Sequence, residues 1–520
     1  RCLVGSEMCI RDSFLCVSFL SCVAFAQEAA YTDLYYNADY NTGGWAFDRY
    51  MQNPSLWNVG SPDGPIFDGE VNSETNNLFL VSSDPITGSF QTFFGYNSNI
   101  WNVHNITVDF LMGQNYSILG IVPNQKLHVG GNLDISIKSY ANWWMPNNNI
   151  ALTGENSGIV VDGDLNFVNA TTKADVEANG RGQNGLIFSI EAHNMPMSTS
   201  FEVKGNLTFK SADTYSYQSD YIQFANSVTS LKVGGYVDMT ETRAGTFAWD
   251  LCKTSQDSFF SDITIGGLKG SGALRITSAK SATVNLTFAN SSAHSYSGTF
   301  ASRADSANKL NVTMDASDAQ NGRQTLIIRE GGAVEGDAAL NAAGLNTVTV
   351  LNGTLNLGAY NGLVNGELYL GGAGGRLEIS SASGEGGVGA LAFENATFES
   401  GAIVFTIEEA GADKLAISGE LTKFGSAKIG VEFDADPYDI NEWILASGGE
   451  SIEYELISFG STNAKDGDFA AQSLGGGVFA NLFIRDNALY VEFSTVPEPA
   501  MFAALFGAVA LMLAARRGRK

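Results

Sequence analysis

The chain has 520 residues, a formal net charge of −26, and 44% hydrophobic against only 16% charged residues. That acidity argues against nucleic acid and against an anionic membrane surface as partners, because both need clustered Lys and Arg. The 32 Phe and 18 Tyr argue against disorder, since so much apolar surface has to be buried.

Residues 1–13, RCLVGSEMCIRDS, share no composition with the rest of the chain. They resemble a translated sequencing-adaptor artefact, and no function is assigned to them. Phe14 to Ala26 then reads FLCVSFLSCVAFA, a thirteen-residue apolar run too short to span a bilayer. It ends in Ala24-Phe25-Ala26, followed by polar Gln27 and Glu28. This is the pattern of a signal peptide (14–26), with Ala24 and Ala26 as the small residues that signal peptidase reads. Of the five cysteines, four precede this site, so a processed chain keeps only Cys252 and forms no internal disulfide.

Residues 27–125 are rich in aromatics and Asn and read as an N-terminal cap or irregular β region. A repeat occupies 126–290. It reads LHVGGNLDISI from Leu127, IVVDGDLNFVN from Ile159, FEVKGNLTFKS from Phe201, LKVGGYVDMTE from Leu231 and ITIGGLKGSGA from Ile263. The shared glycines are Gly131, Gly163, Gly205, Gly235 and Gly267. Alternating apolar residues on either side predict short strands with one buried face. The glycine is expected to serve a tight turn by adopting positive φ. Units near thirty residues, none able to hide its apolar face alone, predict a stacked array. The expected fold is therefore all-β, a right-handed parallel β-solenoid (β-helix), with antiparallel β-sandwich modules as the alternative.

A second array is expected over 291–440, with strands such as TVTVLNGTLNLG from Thr347 and KLAISGEL from Lys414. The segment Thr283 to Phe300, TVNLTFANSSAHSYSGTF, resembles the autotransporter-associated β-strand repeat. Residues 441–495 gather Trp443, Tyr454, Leu456, Phe459, Leu489 and Phe493 and read as a C-terminal β cap.

At the end stand Val496-Pro497-Glu498-Pro499, the apolar run 500–515 and Arg516-Arg517-Gly518-Arg519-Lys520. Sixteen helical residues span about 24 Å, and flanking arginines can snorkel to make up a bilayer's thickness. The basic end is expected on the cytoplasmic side, with the body outside. This tail (496–520, transmembrane helix 500–515) resembles the PEP-CTERM sorting signal in order, spacing and position. The resemblance implies a Gram-negative bacterium that makes exopolysaccharide, a transient inner-membrane anchor, and tail removal by an exosortase. It maps the sorting motif onto Pro497, Glu498 and Pro499, with Arg516 and Arg517 in the basic end.

Catalytic chemistry is not expected. The four histidines, His104, His128, His193 and His294, have no metal-ligand spacing, and no Walker loop or nucleophile elbow occurs. His128, between Leu127 and Val129, is expected to point to solvent. Cys252 reads as a buried structural thiol. No cofactor is expected; Asp162-Gly163-Asp164 supplies two oxygens' worth of a Ca2+ site that takes six to eight, so calcium stands only as an alternative. Six of the seven tryptophans fall in the first half of the chain. The adjacent Trp143 and Trp144 cannot both face a core on an extended backbone, which makes them candidates for stacking on carbohydrate. The sequence thus points to a non-enzymatic surface, matrix or adhesin-like protein, with exopolysaccharide as a partner. The alternatives are a β-helical polysaccharide lyase or glycoside hydrolase drawing on carboxylates such as Asp162, Asp164, Glu408 and Glu409, or a carbohydrate-binding module.

Overall fold

The computed structural model describes residues 31–37, 51, 53–86, 91–94, 100–112, 116–139, 147–152, 155–178, 187–192, 199–212, 220–225, 229–242, 247–253, 259–303, 305–329, 340–360, 363–381, 387–448 and 451–495. Among them lie 37 strands and two short α-helices. The strands form one extended, mostly parallel sheet system with a solenoid-like course. The sandwich alternative fails here, because successive repeats pair side by side and parallel rather than as antiparallel hairpins.

Each pass of the chain contributes to up to three parallel ladders. The first runs through Lys126–Val129, Gly158–Val161, Ser200–Val203, Ser230–Val233 and Phe259–Ile265. The second runs through Leu133–Ser139, Leu165–Asn169, Leu207–Ser211, Val237–Glu241 and Leu268–Gly270. The third joins Asn147–Leu152, Ile187–Ala192, Asp220–Ala225, Phe247–Lys253 and Ala273–Ile276. The strands Ser73–Ile86 and Ile100–Met112 pair in the same manner, so the aromatic N-terminal region is built of rungs too.

Alternation explains the core. Leu165–Asn169 and Ala282–Phe288 bury every second residue. Parallel pairing then puts like on like: Val129, Val161, Val203, Val233, Ile265 and Phe288 form one inward column. Phe167 stacks on Phe209 with ring centroids 5.7 Å apart. No rung could bury these faces alone; each is covered by the rungs above and below.

Among the described residues, the third ladder is followed as far as Ser302. Its last strand meets Leu340–Ala342 running antiparallel. Beyond it, the described residues continue two ladders: Thr347–Val350 the first and Thr354–Ala359 the second, both within one strand. Pairing is unbroken across residues 290 and 291, the expected border between two arrays.

Both ends carry antiparallel strands. Trp57–Val59 runs against Thr32–Tyr36 at the start, where Trp57 is fully buried and edges onto Tyr36. At the finish, Ser451–Thr462, Ala488–Ser494 and Phe479–Arg485 form an antiparallel meander beside the helix Pro437–Ala446. Asp436 caps that helix by accepting from the Tyr438 amide, and Pro437 opens it.

One expectation about the repeat is overturned. Gly131, Gly163, Gly205, Gly235 and Gly267 are absent from the positive-φ glycines among the described residues. They are needed for a different reason, which the corner between the first two ladders makes plain.

Candidate functional site

At that corner the backbone of one rung lies on the backbone of the next. Gly163 donates to the Gly131 carbonyl at 2.8 Å, Gly205 to Gly163 at 3.0 Å and Gly235 to Gly205 at 2.9 Å. A Cβ on Gly205 would lie 2.4 Å from Asp164 Oδ1 and 2.5 Å from the Gly163 oxygen. The glycines are therefore set by close approach between rungs, not by turn conformation.

A ladder of Asn and Asp side chains runs along this corner, and the residues after Gly131, Gly163 and Gly205 belong to it. Asn77 donates to Asp33 at 2.8 Å and Asn105 to Asn77 at 3.0 Å. Beyond it, Asn105 Oδ1 accepts the Asn132 amide, Asn132 Oδ1 that of Asp164, and Asp164 Oδ1 that of Asn206, at 2.7–2.9 Å. Asn206 Oδ1 accepts the Tyr236 amide, and there the column of Asn and Asp ends. Lys269 Nζ sits 3.3 Å above the Tyr236 ring, and His294 lies beside it. Burial, then the Lys269 charge, lower the His294 pKa, so its imidazole is neutral at pH 7.

A charged chain runs alongside this column. His128 Nδ1 meets Asn102 Oδ1 at 3.0 Å, and its Nε2 meets Asp162 Oδ2 at 3.1 Å. Lys204 Nζ holds the other Asp162 oxygen at 2.7 Å. Partial burial is the largest single influence on Asp162 and raises its pKa, but Lys204 and His128 together outweigh it and hold the carboxylate below its usual value. His128 is thus an outward residue tied between rungs rather than left to solvent. Of the two residues considered for Ca2+, Asp162 turns its oxygens to His128 and Lys204, and Asp164 Oδ1 accepts the Asn206 amide. Among the described residues, no group of three or more His, Cys, Asp and Glu could hold a metal.

The remaining candidates sit apart. Cys252 is buried, and burial followed by the Asp250 charge pushes its thiol up to about 12. A buried ion pair joins Arg275 to Asp250 at 2.8 Å. Trp57, Trp101 and Trp249 are all core residues. Glu408 and Glu409 lie at the short Ile407–Ala412 hairpin beside Asp413, whose pKa is raised by burial first and by the Glu408 charge last. A shallow depression of about 340 Å³ crosses four rungs at Val364, Ala392, Ala416 and Ser458, and its lining has no ionisable side chain. These places do not converge on one acid–base constellation.

Pro497, Glu498, Pro499, Arg516, Arg517, Ala24, Ala26, Trp143 and Trp144 lie outside the described residues, as does the expected helix 500–515. Among the described residues, no helix is long and apolar enough to cross a membrane. Sequence reasoning missed the Asn and Asp column and the His128–Asp162–Lys204 chain. The signal was there, in the recurring Gly-Asn or Gly-Asp pair ahead of a leucine, but only strand pairing shows that these residues touch. No family model, curated protein or solved structure matches the chain.

Proposed function

We propose that the chain is an exported, non-enzymatic surface or extracellular-matrix protein, adhesin-like in build, sorted by its C-terminal tail. The body serves as an elongated right-handed β-solenoid; parallel crossover connections take that hand in about 98% of cases. Export begins at the signal peptide cleaved after Ala26. The helix 500–515 then anchors the chain in the inner membrane of a Gram-negative bacterium. An exosortase acting at Pro497-Glu498-Pro499 releases it to the surface or matrix, where exopolysaccharide is the expected partner.

The observation that carries this reading is the tail itself: a Pro-Glu-Pro motif, sixteen apolar residues and a basic end, placed directly after a β-rich body. A structural role suits the way the corner side chains are used. Asn105, Asn132, Asp164 and Asn206 each bond to a neighbouring rung and tie the stack together.

Mass spectrometry of the released protein tests the sorting step. A C-terminus near Pro499, lost when Pro497, Glu498 and Pro499 are replaced by Ala, is the expected result. Full-length chain persisting in the membrane overturns it. Reducing-sugar release from neutral and acidic polysaccharides by the purified protein would overturn the non-enzymatic reading.

A further inference from the structure

The C-terminal cap has an apolar face at the point where the chain leaves it. Helix Pro437–Ala446 buries Ile440 and Ile444 against the cap but turns Tyr438 and Leu445 outward, 67% and 74% exposed. Phe479 is also exposed. Ser494, the last strand residue, is the cross-strand neighbour of both Ser451 and Phe479. Ser451 in turn lies six positions after Leu445. A Cβ on Gly476 would lie 3.0 Å from Pro437 Cβ, so the turn before Phe479 packs on the start of the helix. Tyr438, Leu445 and Phe479 therefore flank the exit of the chain.

The reach of the chain says what can cover this face. Thr495 and Pro499 are four residues apart, at most about 14 Å even fully extended. Any protein that grips Pro497-Glu498-Pro499 must then stand against the cap. The face is bordered and interrupted by carboxylates: Asp436 caps the helix, Asp439 lies on it, Glu442 stands between Tyr438 and Leu445 and is hydrogen-bonded to Tyr438, and Glu492 lies beside the exit. An anionic bilayer is repelled by such a rim, whereas a partner with basic residues around an apolar patch is complementary to it.

We propose that Tyr438, Leu445 and Phe479 form a docking surface for the membrane-embedded enzyme that processes the tail. This rests on the sorting-tail reading of the function. The cap then acts as a second recognition element, raising the local concentration of the motif at the enzyme.

The test tracks tail removal in cells by pulse-chase, using the full chain and a Tyr438→Asp, Leu445→Asp variant. Both residues are exposed, so an unchanged thermal midpoint is expected for the purified variant. Tail removal should slow about tenfold, the loss expected when an apolar hot spot is replaced by like charge. Inserting a flexible Gly/Ser linker of about fifteen residues after Thr495 should slow the parent to the variant's rate, because the cap no longer places the motif. A photo-crosslinking side chain at position 445 should capture an integral-membrane protein. Equal processing of parent and variant overturns the proposal, as does crosslinking only to lipid or to a second copy. A parent chain that keeps its tail overturns the sorting reading and this proposal with it.

Discussion

Gln324 hydrogen-bonds both backbone polar groups of Leu268, a residue two rungs away: the Leu268 amide donates to Gln324 Oε1 at 2.9 Å, and Gln324 Nε2 donates to the Leu268 carbonyl at 3.0 Å. The intervening strand, Ala293–Arg303, pairs with Leu268–Gly270 only at Gly270. A rung that bulges away leaves two buried backbone groups unmet, and one amide side chain replaces the missing strand. Asn290 Nδ2 braces the arrangement by donating to the Arg323 carbonyl at 2.7 Å.

Replacing Gln324 by Leu should therefore cost about 2–4 kcal/mol, since two buried groups lose their partners at once. Gln324→Glu should cost at least as much, because it adds a buried charge and removes the donor to Leu268. Denaturant midpoints of the purified proteins check both.

Gly205→Ala should destabilise the chain by about 1–3 kcal/mol, because the new methyl meets backbone and a carboxylate that are themselves held by hydrogen bonds. Gly467, with nothing within 4 Å of its would-be Cβ, is the control; its Ala variant should stay within about 0.5 kcal/mol of the parent. Equal losses at the two sites would refute the close-approach explanation of the corner glycines.

In the corner column, Asp164→Ala should cost about 1 kcal/mol by removing the acceptor of the Asn206 amide. Asp164→Asn keeps that acceptor and should match the parent closely. Thermal melts of the two variants distinguish an acceptor requirement from a charge requirement.

Asp413 is fully buried and accepts the Gly389 and Thr406 amides. Burial is the main influence on it and, against those amides, pushes its carboxyl up to about 6 from an ordinary 3.8. The folded chain then holds this proton more tightly than the unfolded chain does. Stability from this group is fully present below the unfolded value and is lost as pH rises from about 4 through 6, by roughly 3 kcal/mol. Asp413→Asn should remove that dependence, so the stability difference between parent and variant should change between pH 4 and pH 7.

Cys252 should stay unmodified by thiol reagents at pH 8, because its raised pKa leaves almost no thiolate and its sulfur is buried. Site-resolved alkylation should show it reacting only once denaturant unfolds the third ladder. Prompt labelling of the native protein would contradict its placement in the core.

Apolar alternation around Leu127, Ile159, Phe201, Leu231 and Ile263 was enough to read an all-β stack of short strands, since period two leaves one face to bury and a thirty-residue unit cannot bury it alone. The expectations for the two termini rest on the same kind of local pattern of charge and hydropathy, and those residues lie outside the described structure. Tertiary structure alone decided which groups meet. Gly163 and Gly205 are 42 residues apart, and nothing local says that one rests on the other, so the reason for the glycine could only be misread as a turn. The same holds for Gln324 and Leu268, 56 residues apart, and for His128 between Asn102 and Asp162. Strand character is written in neighbours along the chain; register, close approach and polar satisfaction are set between rungs, at separations where sequence carries no distance.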